Sequence, residues 1–244
     1  MPDAPYLFVS DLHLDAALPE AVDQFRAFLE GEARSAAGLY ILGDLFEAWV
    51  GDDDPEPCRS AVCDALRAYT SAGHPAWVVR GNRDFLFNTG FETRTGCTLL
   101  PDPVRVRIGA LDAFVSHGDV LCTDDLPYQE LRSIVRQPDF QARFMALPLD
   151  TRRAIADKAR SGSKAHTGRT AYDVMDVNAE AVSKAFRVTS TRLMIHGHTH
   201  RPGIHAVEVD GQTCTRIVLG DWYTQGSVLS VQLDGSYELR SLPR

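Results

Sequence analysis

An α/β sandwich is the fold class that this 244-residue sequence predicts, and three observations predict it. Short, β-rich apolar runs recur along the chain, and each stops abruptly at Gly, Asp, Asn or His. Amphipathic helical patterns separate the first three of these runs, as alternating strands and helices require. Apolar residues make up 44% and charged residues 24% of the chain, the balance of an ordinary soluble globular protein. No internal repeat, low-complexity tract or interdomain linker divides it.

The first run, Tyr6-Leu7-Phe8-Val9, enters Ser10-Asp11. A helix is then expected from Pro19, a residue suited to a first helical position, with Val22, Phe25, Phe28 and Leu29 on one face. Leu39-Tyr40-Ile41-Leu42 enters Gly43-Asp44, and a second helix follows over about 56–72, with Gly73 as its stop. Trp77-Val78-Val79 enters Arg80-Gly81-Asn82. Further on, Ala113-Phe114-Val115 enters Ser116-His117, Leu193-Met194-Ile195 enters His196-Gly197-His198, and Ile217-Val218-Leu219 enters Gly220-Asp221. A hairpin is expected over 207–213 and a terminal strand over 228–233.

The segment of about 123–186 differs. Its pattern predicts short helices at 126–136, 138–145, 150–160 and 173–186, mildly basic up to Gly168 inside an acidic protein. The expectation is a single domain over 1–244 with this segment inserted in it as a helical lid.

Lys and Arg number 25 against 33 Asp and Glu, a formal net charge of −8. That sign argues against a nucleic-acid partner, whose binding depends on neutralising phosphates. No apolar run approaches the roughly 20 residues that span a bilayer. Met1 to Pro5 lack the features of a secretory signal. The five cysteines (Cys58, Cys63, Cys97, Cys122, Cys214) are scattered and read as reduced thiols of a cytoplasmic protein.

Ligand sites in open α/β sheets lie beyond the carboxyl ends of the strands. Asp11, His13, Asp44, Asn82, His117, His198 and His200 all follow strand-like runs and are expected to converge on one rim. Alone, each means little, since a single Gly-Asp is usually a turn. Together they offer oxygen and imidazole ligands without thiolate, a set suited to Mn, Fe, Zn, Co or Mg. Seven ligands are too many for one ion and enough for two with a shared carboxylate. Asp44, in a short loop after Gly43, is the natural bridge.

The blocks Asp11-Leu12-His13, Gly43-Asp44, Gly81-Asn82-Arg83-Asp84, His117 and Gly197-His198-Thr199-His200 resemble the signature of the calcineurin-like metallophosphoesterases over nearly the whole chain. The resemblance implies a four-layer αββα sandwich. It implies one metal held by Asp11, His13, Asp44 and His200, and a second by Asp44, Asn82, His117 and His198. The family's third block usually carries His where this chain has Arg83. Arginine stays protonated and cannot act as a general acid, but it donates to phosphate oxygens in a fixed fork. Arg83 therefore points to a leaving group that departs without full proton transfer, as a phosphate leaves a diphosphate.

Arg83, the helical segment and the stretches 10–14, 42–49, 175–178 and 195–202 look like one branch of that superfamily, which cleaves the diphosphate of UDP-2,3-diacylglucosamine in Gram-negative lipid A synthesis. The resemblance implies two divalent ions, manganese as the expected metal, and metal-hydroxide attack on the α-phosphorus to give UMP and 2,3-diacylglucosamine 1-phosphate. Asn82, Arg83 and His198 are the expected catalytic residues. Asn82, Arg83, Asp125, Ser163 and His198 are the expected substrate contacts. Thr167 and Thr170 stand where the branch tends to show Asn and Lys, with Lys164 and Arg169 as nearby cations. Leu126, Tyr128, Leu131, Ile134, Val135, Phe140, Phe144, Met145 and Leu147 offer an apolar trough for acyl chains. A monomer in transient peripheral contact with the cytoplasmic face of the inner membrane is expected. The alternatives are another phosphoesterase of the same fold, a nuclease, and a non-catalytic scaffold. His74 and His205 are expected to be structural or surface residues, and Trp49, Trp77 and Trp222 to be packing residues.

Overall fold

The structure is a computed structural model that describes residues 4–167 and 176–244, the side chains of 163–167 excepted. One sheet is built from β1 (Tyr6–Val9), β2 (Gly38–Leu42), β3 (Ala76–Val79), β4 (Thr98–Leu100), β10 (Gly226–Val231) and β11 (Tyr237–Leu242), in the order β11-β10-β1-β2-β3-β4. The second contains β5 (Val104–Ile108), β6 (Leu111–Ser116), β7 (Leu193–His196), β8 (Gly203–Val209) and β9 (Gln212–Val218), in the order β5-β6-β7-β9-β8. β1 to β4 run parallel, as do β6, β7 and β9.

Side chains alternate across a strand, so each buried strand serves two cores. Leu7, Val9, Leu39, Ile41 and Val78 pack against α1 (Pro19–Glu30), α2 (Pro57–Ser71) and α3 (Thr89–Thr95) through Phe25, Phe28, Leu66 and Phe91. Phe8, Tyr40, Leu42 and Val79 meet Val106, Val115, Ile195 and Ile217 of the second sheet. On that sheet's outer face Phe114 and Met194 pack with Val182 and Phe186 of α7 (Ala179–Thr189). Helices, sheet, sheet and helix make the four-layer αββα sandwich expected from the sequence.

Between β6 and α7 lie α4 (Leu126–Val135), α5 (Pro138–Met145) and α6 (Leu149–Thr167). None of the residues of α4 or α5 is fully buried. Arg152 fixes α6 to the loop after β2 by pairing with Asp53 and donating to the Val50 carbonyl. Arg153 pairs with Asp54.

Several boundaries differ from expectation. The last helix of the 123–186 segment does not begin at 173. Residues 173–175 lie outside the described residues, and Asn178 caps α7 by accepting from the backbone N–H groups of Glu180 and Ala181, which sets its start at Ala179. α6 runs past 160 to Thr167. The strand at 226–231 is not terminal, because Asp234-Gly235 turns the chain back into β11, which pairs antiparallel with it. α3 was not expected, being rich in Thr and Gly; the Asn88 cap and left-handed Gly96 (φ 71°) define its ends.

Phe186→Ala is expected to cost about 3–5 kcal/mol in urea unfolding, the usual range for a buried aromatic. Ile134→Ala, at a residue 44% exposed, is expected to stay within about 0.5 kcal/mol. Equal losses for the two would contradict the position of α7 in the outer core.

Candidate metal centre

The loops that follow the parallel strands of both sheets meet at one rim. β1, β2 and β3 deliver Asp11 and His13, Asp44, and Asn82; β6 and β7 deliver His117, and His198 and His200. Seven non-glycine residues among the described ones have positive φ, and five are Asp11, His13, Asp44, His198 and His200. Asp and His tolerate this left-handed region better than most residues, yet each still costs about 1 kcal/mol. Two glycines admit the loops to each other. A Cβ on Gly81 would overlap the Asp44 carboxylate, and one on Gly197 would overlap Ser10 and Asp11.

Asp44 stands in the middle. Its Oδ2 lies 3.7 Å from His13 Nε2 and its Oδ1 3.7 Å from His117 Nε2. Oδ1 also accepts from the Arg83 backbone N–H at 2.8 Å. On one side, Asp11 Oδ1 lies 3.3 Å from His200 Nε2 and 4.0 Å from His13 Nε2. On the other, Asn82 Oδ1 lies 2.9 Å from His117 Nε2 and 3.0 Å from His198 Nδ1. All seven side chains expected from the sequence thus share one site.

The outer ring nitrogens decide what the inner ones do. His117 Nδ1 lies 2.8 Å from the Leu42 carbonyl, which only accepts, so this nitrogen carries the proton and Nε2 is bare in the neutral ring. His13 Nδ1 lies 2.9 Å from Glu47 Oε2 with the same consequence, and His200 Nδ1 faces Asp221 Oδ2 at 3.6 Å. With neutral rings, bare imidazole lone pairs would face carboxylate oxygens, an arrangement that repels unless a proton or a metal cation lies between them. Asp11 Oδ1 is buried and accepts no hydrogen bond. The donor atoms of Asp11, His13 and His200, and those of Asp11, Asp44 and His117, lie within 4.8 Å of one another in each group. These donors fit divalent ions, with imidazoles oriented by outer carboxylates and carbonyls as metal-binding histidines usually are.

The electrostatics agree. Burial disfavours charge on His117, but Asp44 and Asp11 outweigh it and push its pKa up to about 9. Burial likewise opposes charge on His200, yet Asp11 raises its pKa. Burial would raise the Asp11 pKa too, but His200, His117 and His13 hold it well below the usual carboxylate range. Burial, with His117, brings His198 down to about 4, so its ring stays neutral.

Asp84 ties the loops together: its carboxylate accepts from the backbone N–H groups of Gly81 at 2.7 Å and Leu45 at 2.8 Å. His196 bonds to the Gly197 carbonyl and accepts from Arg216 at 3.1 Å. Both act on the ligand loops from behind.

A cavity of about 480 Å³ opens beside the centre. Asn82 and Arg83 line one end; Trp49, Phe85 and Leu86 of the rim, with Tyr128, Leu131, Val135, Phe140, Phe144 and Ile155 of α4 to α6, line the rest. Leu126 and Ile134 face solvent, and Met145 packs on the first sheet's core. Asp125 caps α4, accepting from the Tyr128 N–H at 3.1 Å, and does not line the cavity. Ser163 falls in α6 after the cavity-lining Gly162; its side chain, like those of Lys164 and Thr167, and residues Arg169 and Thr170 lie outside the described residues.

Sequence reasoning gave no role to Glu47, Asp221 or Asp119. Asp221 follows a strand-like run just as Asp44 does, and Glu47 stands three residues after Asp44, so both carried a signal. Asp119 carried none: it is buried between the Tyr128 hydroxyl, at 2.6 Å, and Arg132 Nε, at 2.9 Å.

Comparison with known proteins gives a consistent result. The family described as calcineurin-like phosphoesterase matches residues 4–202. A UDP-2,3-diacylglucosamine hydrolase of Stenotrophomonas maltophilia is 50% identical over 236 residues, covering 94% of this chain and 95% of its own. One from a second strain of that species is 48% identical over 245 residues, 98% of each chain. One from Xanthomonas oryzae pv. oryzae is 47% identical over 236 residues, 94% of this chain and 96% of its own.

A metal ion bound at His117 would need its bare ring nitrogen, so below about pH 9 binding would expel the proton held there. Manganese titration calorimetry at pH 7 in buffers of different ionisation enthalpy is expected to show net proton release; none would contradict this charge state. In the metal-free chain, the stability contributed by charged His117 is fully present below its unfolded pKa of about 6.5 and is lost as pH rises through about 9. Gly81→Ala is expected to lower metal content below two ions per chain by elemental analysis, because the new Cβ displaces Asp44.

Proposed function

The chain belongs to the calcineurin-like phosphoesterase family, and on that premise we propose that it hydrolyses the diphosphate of UDP-2,3-diacylglucosamine. Water is consumed, its oxygen joins the α-phosphorus, and UMP and 2,3-diacylglucosamine 1-phosphate leave. The observation that carries this reading is the Asp44 carboxylate, one oxygen toward His13 and the other toward His117, bonded to the backbone of Arg83, which lines an apolar cavity. The relatives named UDP-2,3-diacylglucosamine hydrolase support it.

Asp11, His13, Asp44 and His200 would hold one divalent ion, and Asp44, Asn82, His117 and His198 the other. When bound, such a pair supplies an acidified water and a positive clamp for phosphoryl oxygens. The oxygen and imidazole donors suit manganese. Asn82 and His198 flank the reacting phosphate, and Arg83 donates to the diphosphate as negative charge builds on the departing phosphate. With no acid at position 83, the chemistry favours a leaving group that is itself a phosphate. Asp125 and Ser163 would contact the glucosamine.

α4 to α6 act as a lid, with the acyl chains in the 480 Å³ cavity beneath it. Leu126, Leu131, Ile134 and Ile155 are 43–72% exposed around this lid, which supports transient contact with the cytoplasmic face of the inner membrane. No helix among the described residues is long and apolar enough to cross a membrane. We take the acting form to be a monomer.

Hydrolysis in oxygen-18 water is expected to place the label in UMP; label in the sugar phosphate would overturn the point of attack. Shortening each acyl chain is expected to lower kcat/KM about tenfold per two methylenes withdrawn from the cavity, at about 0.8 kcal/mol per methylene. An unchanged kcat/KM would remove the acyl chains from the cavity.

A further inference from the structure

The metal rim has a second cavity on its other side. It measures about 270 Å³ and is lined by Pro202, Asp221, Thr224 and Gln225, together with residues of β10 and β11. In the sheet order β11-β10-β1-β2-β3-β4, the apolar cavity opens on the loops after β2 and β3, while this polar one opens at β10 and β11. Asp11, at the end of β1, stands between them. Asp221 joins the polar cavity to the centre, since its Oδ2 faces His200 Nδ1 at 3.6 Å.

Tyr223 directly precedes Thr224 and Gln225 of this cavity in the chain. Its ring lies flat on the His13 imidazole, with centroids 5.0 Å apart and planes 13° apart, and the residue is 39% exposed. One ring face covers a metal-site histidine. Nearby, Gln225 Nε2 donates to Ser241 Oγ at 3.0 Å, which fixes the amide that it presents to the cavity.

We propose that Tyr223 and the adjoining polar cavity form the subsite for the nucleoside half of the substrate, with the uracil stacked on the partly exposed Tyr223 ring and its edge toward Thr224 and Gln225. The inference rests on the diphosphate reading given above. A diphosphate carries its two substituents at opposite ends, so when the apolar half occupies the cavity under α4 to α6, the nucleoside leaves the metal rim on the other side. The cavity is smaller than the roughly 300 Å³ of common ligand clefts, which suits one pyrimidine ring with an exposed ribose. Stacking on aromatic rings is how proteins hold unpaired bases.

The test titrates UMP and, separately, inorganic phosphate into manganese-loaded protein by calorimetry. Wild-type protein is expected to bind UMP at least tenfold more tightly than phosphate. Tyr223→Ala and Gln225→Ala are each expected to weaken UMP binding, Tyr223→Ala about tenfold, with phosphate affinity and two manganese ions per chain retained. Tyr223→Phe is expected to keep wild-type UMP affinity. Unchanged UMP affinity in Tyr223→Ala and Gln225→Ala, or equal losses for UMP and phosphate, would overturn the subsite. Turnover of the lipid substrate by the wild-type enzyme is a separate readout: its absence would sink the diphosphate reading, and the titrations would still decide whether a nucleotide binds here.

Discussion

Imidazole nitrogens and carboxylate oxygens that would repel one another are held face to face at the centre of this molecule. Asp11 and His117 are fully buried, and Asp44 and His13 nearly so, so water does little to screen them. Metal-free, the site relieves this by holding a proton on His117, whose pKa rises to about 9 against the cost of burial. The surrounding structure serves to keep the groups together. Glycines at 81 and 197 let backbone approach carboxylate, and left-handed turns at five site residues aim the side chains inward. Such strain persists only where the surroundings over-determine it. Here Asp84 does so by holding the loops after β2 and β3 through one carboxylate.

The same contacts join the two sheets. Asp11 of the first sheet accepts from the His198 N–H of the second at 2.8 Å, and His117 of the second bonds to Leu42 of the first. The Trp222 N–H donates to the Asp11 carbonyl at 3.1 Å, while the Trp222 ring packs between Phe25 and Phe28 of α1. The core between the sheets, with Phe8 and Tyr40 stacked at 4.7 Å, fixes how far apart the two sets of loops stand. Chemistry at the rim and packing beneath it are therefore not separable. A cavity in that core would move the candidate ligands as well as reduce stability.

The centre was legible in the sequence because its grammar is local. A buried strand followed by a short loop with Gly beside Asp, Asn or His marks each position, and the fold brings all strand ends to one rim. The tautomers were not legible, since they depend on Leu42, Glu47 and Asp221 meeting rings far away in sequence. Weak elements were missed for related reasons: α3 is poor in helix formers and is defined by its caps, and β11 is an edge strand with little buried surface. In α4 and α5, hydrophobic spacing identified Tyr128, Leu131, Val135, Phe140 and Phe144, which line the cavity, but it did not separate them from Leu126 and Ile134, which face out. Exposure of a short helix depends on what lies opposite, and spacing does not record that.

The position of the apolar cavity relative to the metal rim follows from one buried carboxylate. Asp119 sits just after His117 and receives the Tyr128 hydroxyl and the Arg132 guanidinium of α4, with Arg136 at 3.5 Å. Arg132 also reaches Asp102, whose other oxygen accepts from the His117 N–H at 3.1 Å. Burial disfavours the Asp119 charge, but His117, Arg132 and Arg136 hold its pKa far below the ordinary carboxylate value, so these pairs persist over the working range of pH. α6 is tied separately, through Arg152 and Arg153, to the loop after β2. Both ends of the cavity are thus referenced to loops that also carry candidate ligands. Helices free to slide would leave the distance from the apolar cavity to the rim undefined. Anchored this way, the helices set a fixed span from the apolar cavity to the rim, with Arg83 at its inner end.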